Sequence, residues 1–152
     1  MKFSAEDYNV LSYILKQNLI SYDQAIAWAY AQYTDHGIDP FVEKLSLASD
    51  VAEIIRFISN TYQVYGEPSN EFLAGEAAKA YSEDKQSLYA AISRILFDLD
   101  LELPEEERQE LYIAEDYFGW HDSAESQAIV HAMPVLDKYR PIYEHAVAKF
   151  SI

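Results

Sequence analysis

The side chains here with the means to do chemistry are four histidines, His36, His121, His131 and His145, set among 26 acids and no cysteine. Without thiols there is no disulfide, no cysteine nucleophile, no thiolate zinc site and no iron–sulfur cluster. Zinc hydrolases place two histidines four apart on a helix with a glutamate between them, and this sequence has no such pair. His121 and Glu125 are four apart, one weak potential ligand pair across a helix start. A carboxylate di-iron site wants glutamate and histidine three apart on each of two helices; neither copy is present. His131 and His145 are two heptads apart, on a stretch that Pro134 and Pro141 interrupt. The run "DLDLELPEEERQ", residues 98–109, alternates acids as a calcium loop does. Its sixth position is Leu103, where that loop needs glycine, and its twelfth is Gln109, where it needs a bidentate glutamate. There is no Gly-x-Ser-x-Gly elbow and no glycine-rich phosphate loop with a lysine. Acid pairs arise by chance among so many acids, and none is enclosed by apolar residues as general acid chemistry prefers. The expectation is no cofactor, no metal and no catalytic residue. An enzyme or metal protein with a site near His121 is one alternative.

The densest stretch is "EDYFGWHDS", residues 115–123, with three carboxylates, three aromatic rings, a glycine and a histidine. A corner between two helices explains most of it. Gly119 stops one helix, Asp122 or Ser123 caps the next, and Phe118 and Trp120 close the core over the turn. The competing reading is a binding corner, because an exposed tryptophan beside acids suits a partner interface.

Whatever these residues do, helices must position them. Ser4, with Asp7 three residues on, opens a helix whose stripe is Val10, Leu11, Ile14 and Leu15. Ser21 and Gln24 form a capping box for a second, with Tyr22, Ile26, Ala29 and Tyr33 on one face, Ala25 and Trp28 beside them, and Gly37 as a left-handed stop. Asp39-Pro40 starts a short third. Ser49 or Asp50 caps a fourth, with Val51, Ile54, Ile55, Ile58 and Tyr62 inward. After the loop "YGEPSN" come an alanine-rich helix over 70–81 and an apolar one through Leu88, Ile92, Ile95 and Leu99. Over residues 98–104 the period changes to two, Leu99, Leu101 and Leu103 alternating with acids. With no partner strand in view, this reads as an extended connection. Pro104 then opens a helix with Glu105, Glu106 and Glu107 at the positive end of its dipole and Leu111, Ala114 and Phe118 inward. A last run, with Ile129, Met133, Leu136, Ile142, Ala146, Val147 and Phe150 apolar, should kink or break at its two prolines. Four glycines and five prolines are few for a many-turned β-fold. The expected fold is all-α, a single-domain bundle of seven to nine helices over residues 1–152.

The formal charge is -15, which repels nucleic acid and anionic membrane and attracts a basic protein. It is unevenly spread. Residues 1–97 carry 13 acids and 7 bases, net -6; residues 98–125 carry 11 acids and Arg108 alone, net -10; residues 126–152 carry 2 acids and 3 bases, net +1. No apolar run approaches a membrane span, and the first residues show no signal-peptide core. A cytoplasmic protein is expected. Thirteen tyrosines are many for this length; Tyr22, Tyr33, Tyr62 and Tyr81 fall on helix stripes, whereas Tyr112 and Tyr117 lie inside the acidic segment. The expected partner-binding residues are Asp98, Asp100, Glu102, Glu106, Glu110, Tyr112, Glu115, Asp116, Tyr117 and Trp120. The rival is that Lys138, Arg140 and Lys149 fold back and neutralise the patch internally.

These acids, with Glu105 and Glu107 and the two tyrosines, give a cysteine-free acidic helical chain that resembles the small bacterial immunity proteins that neutralise cytotoxic nucleases. The likeness is one of type and carries over no motif. It implies a non-enzymatic module binding a basic protein. The remaining alternative is a helical scaffold or oligomer subunit whose acidity serves solubility.

Overall fold

The computed structural model describes residues 2–119 and 124–152. It is all-helical, with eight α-helices, one π-helical turn and no strand among the described residues. The chain forms two compact units. The first runs to Pro68 and takes in Ala146–Ile152; the second is Ser69–His145.

In the first unit the helix starts are local chemistry. α1 (Ala5–Lys16) opens with a capping box: the Ser4 hydroxyl accepts the Asp7 N–H, and the Asp7 carboxylate accepts the Ser4 N–H. Ser21 and Gln24 repeat the device at α2 (Tyr22–Ala31). Asp39 caps α3 (Pro40–Ser46), where Pro40 forfeits an N–H that had no helical partner. Asp50 caps α4 (Val51–Tyr62). The stripe Val10, Leu11, Ile14 and Leu15 is buried, as are Ile54 and Ile58. Aromatic rings fill the rest. Trp28 meets Phe3 and Phe150 edge-on, and Tyr8 stacks on Tyr62. Burial, then the nearby Tyr62 and Asp39, pushes the Tyr8 hydroxyl pKa far up. The 65–70 loop is tied to α1 by Asn9, which accepts from the Gly66 and Glu67 amides and donates to the Glu67 carbonyl. Two expectations change. Tyr33 is not inward: Ala25, Trp28 and Ala29 hold that face, and Tyr33 stacks on Tyr30 at the surface. Gly37 does not stop α2; at φ +99° it closes a turn with Thr34.

Burial would raise the Asp7 carboxyl, but the Lys149 ammonium at 2.7 Å and the Ser4 groups outweigh it and hold its pKa below the ordinary value. A depressed folded-state pKa gives stability that is complete above the unfolded value of about 4 and is lost as pH falls through the folded one. Asp7→Asn should therefore cost about 1 kcal/mol in urea melts at pH 7. The difference from the parent should close as the pH is taken down toward about 2; a gap constant with pH would assign the loss to something other than the charge.

In the second unit, Ser69 caps α5 (Asn70–Ser82) and Ser87 caps α6 (Leu88–Ser93). α6 runs on into a π-helical turn at Arg94–Asp98, closed by the Leu99 N–H on the Arg94 carbonyl. Residues 99–104 join no strand, and a tight turn closed by the Leu103 N–H on the Leu101 carbonyl interrupts the expected extended connection. Leu103 is buried and Leu99 and Leu101 pack on the core, while Asp98, Asp100 and Glu102 are exposed. The Asn70 amide donates to the Asp100 carbonyl at 2.7 Å, so this bare segment does not leave that acceptor empty. α7 (Glu105–Tyr117) buries Leu111 and Ala114. α8 (Ala124–Ala148) carries Pro134 and Pro141 within one 25-residue helix, so the expected break into segments does not occur. Its buried side also differs from expectation. Ala124, Ala128, Ala132, Val135, Leu136 and Tyr139 face the core, and Ile142 is exposed. At the C-terminal part of this face the approach is close: Gly75 of α5 lies against the Tyr139 carbonyl and Tyr143, with no room for a Cβ. The expected cap at Asp122 or Ser123 lies outside the described residues.

Candidate functional site

The acidic segment belongs to the second unit, on the π-helical turn, the extended connection and α7. Which acids are available is decided by how α7 sits. Leu111 and Ala114 anchor it to the core, with Tyr117 and Phe118 packed partly beside them. The opposite side of the helix, with Glu105, Glu106, Tyr112, Ile113 and Asp116, is therefore left to solvent.

The acids then divide into two sets. On the flank toward α8, the Lys138 ammonium donates to Glu107 Oε2 at 2.7 Å, and His131 Nδ1 lies 2.7 Å from Glu110 Oε2. The Tyr117 ring stacks on the His131 ring at 5.9 Å. Glu107, Glu110 and Lys138, with Glu106, Gln109, Pro134 and Val135, line a groove of about 350 Å³. Glu115 is half-buried on the same helix. The second set, Asp98, Asp100, Glu102, Glu106 and Asp116, is exposed and forms no ion pair among the described residues.

The fold-back rival is thus realised in part. Lys138 does reach the segment. Arg140 instead pairs with Asp137 and Glu144, and Lys149 pairs with Asp7. Glu144 also takes Lys79 at 2.8 Å, which holds its carboxyl below and the ammonium above their usual pKa values.

Of the residues expected to bind a partner, the structure brings Asp98, Asp100, Glu102, Glu106, Tyr112 and Asp116 to the surface. It turns Glu110 and Tyr117 toward His131. Trp120, like His121, lies outside the described residues. The sequence reading overlooked Phe97 and Ile113, which are 56% and 41% exposed. The Phe97 ring meets that of Tyr112 edge-on at 6.0 Å, so an exposed aromatic pair lies within the acidic stretch, with Asp98 next to Phe97 in sequence and Asp116 one helical turn beyond Tyr112. A hint was available in that Phe97 falls off the Leu88–Ile92–Ile95 line. The role of His131 had no signal of this kind, because its partner is 21 residues away.

Among the described residues no group of three or more histidines and acids is placed to hold a metal ion. No helix there is long and apolar enough to cross a membrane. No protein-family model, curated protein or solved structure gives a significant match to this chain.

Proposed function

We propose that this chain is a non-enzymatic protein-binding module that engages a basic protein through the outward face of α7 and the connection before it, as an immunity-type inhibitor would. One observation carries the reading: the unpaired acids Asp98, Asp100, Glu102, Glu106 and Asp116 are exposed along the same stretch of chain as Phe97 and Tyr112, two exposed rings that meet edge-on. Like charges held together repel, so such a face is suited to a cationic surface that relieves the repulsion. A two-fold contact with a second copy would set these acids near their own counterparts. That disfavours the scaffold or oligomer reading for this face. We place the module in the cytoplasm, with which a chain free of cysteine is compatible.

Two charge-removing pairs separate binding from structure. Glu106→Gln with Asp116→Asn should leave stability within about 0.5 kcal/mol of the parent. It should slow association with a basic partner and flatten the salt dependence. Glu107→Gln with Glu110→Gln should lower stability, because it strips the partners of Lys138 and His131. If the first pair lowers stability and leaves association and its salt dependence unchanged, the face is structural and the proposal is wrong. Stopped-flow association over a salt series and urea melts supply both readings.

A further inference from the structure

Resting on that reading, we infer that the partner docks on the Phe97–Tyr112 pair through arginine side chains rather than lysine. The rings are 56% and 44% exposed, and they lie 6.0 Å apart with an interplanar angle of 62°. Other rings of this protein are covered by its own cations. Lys44 and Arg56 sit 4.6 and 5.7 Å from the Phe57 centroid, and Lys138 sits 5.3 Å from that of Tyr139. Among the described residues no cation lies over Phe97 or Tyr112, although Arg108 is one turn from Tyr112 on α7. The rings thus hold no cation of the chain's own and stay partly open to solvent. Their flanking carboxylates are free as well: Asp98 follows Phe97 directly, and Asp116 is one turn beyond Tyr112.

A guanidinium matches both parts of this surface. Its plane stacks on an aromatic face while its fork donates two parallel hydrogen bonds to a carboxylate. An ammonium is a compact, strongly hydrated point charge and must give up more water to sit against a ring. A face of carboxylates alone would attract either cation. The exposed aromatic pair is what discriminates.

The test uses the full chain and two short glycine-spaced peptides of equal charge, one with arginines and one with lysines. Each is titrated calorimetrically at about 0.1 M salt. The arginine peptide should bind about 3- to 10-fold more tightly. In Phe97→Leu/Tyr112→Leu, which keeps apolar bulk and removes the π-faces, the two peptides should bind equally, with the salt-sensitive part intact. Circular dichroism checks that this variant is folded; Tyr112→Leu alone serves if it is not. Equal binding of both peptides by the parent chain overturns the arginine inference and leaves the acidic-face reading standing. So does an arginine preference that survives loss of the rings. Binding of neither peptide overturns both.

Discussion

Replacing Gly75 by alanine lowers the unfolding free energy by about 3 kcal/mol and the melting temperature by roughly 6–12 °C. An added Cβ would stand 2.3 Å from the Tyr139 carbonyl oxygen, 2.8 Å from Tyr143 Cβ and 3.0 Å from the Tyr143 amide nitrogen. Two of these three atoms are backbone, so no rotamer change relieves the clash, and α8 must shift from α5. In an exposed helix interior the same substitution would add nearly 1 kcal/mol of helix propensity. The sign of the measured change is therefore diagnostic. A variant as stable as the parent would mean that α5 and α8 do not approach this closely.

Leu111→Ala and Tyr112→Ala should differ sharply although the residues are neighbours. Leu111 is fully buried in the core of the second unit, and its truncation should cost about 2–5 kcal/mol. Tyr112 is 44% exposed, and what it loses is mainly the edge contact with Phe97, about 0.5–1.5 kcal/mol. Only the second substitution should change recognition of a basic partner in the folded protein. Denaturant melts of both variants fix the rotation of α7. Similar losses at the two positions would mean that the outward face has been assigned to the wrong side of the helix.

What the sequence made legible is what short-range chemistry decides. Ser4 with Asp7, Ser21 with Gln24, and Asp39-Pro40 start their helices as the spacing implies, because a cap needs only residues two or three apart. The alternation over residues 98–104 also held, since a leucine facing the core forces its neighbour outward. The buried side of α8 was not legible. Bulky Ile142 and Met133 carry more hydrophobic signal than Ala128 and Ala132. The helix nevertheless turns these small residues inward, and its close approach to Gly75 at Tyr139 and Tyr143 leaves no trace in the hydrophobic pattern either. At the candidate site, the charge could be counted but not sorted. Glu107 and Glu110 differ from Glu106 through partners 31 and 21 residues away, and such pairing leaves no local pattern. The place of Phe97 off the Leu88–Ile92–Ile95 line was a hint, but the π-helical turn that carries it, bonded from residue 99 back to residue 94, leaves no trace in the apolar periodicity.

The stacking of Phe150 on Phe3 and its edge contact with Trp28 has a consequence for synthesis on the ribosome. The first unit draws an aromatic plug from residue 150, so its interior cannot close until that residue has left the exit tunnel, even though Ala5–Tyr62 emerged long before. Among the described residues, the buried cluster of the second unit runs from Ala74 to Tyr139 and lies within the unit's own span. At about 5–20 residues per second, the helices over Ala5–Tyr62 wait several seconds with Trp28 uncovered. They are then a stretch in need of a chaperone's protection during synthesis.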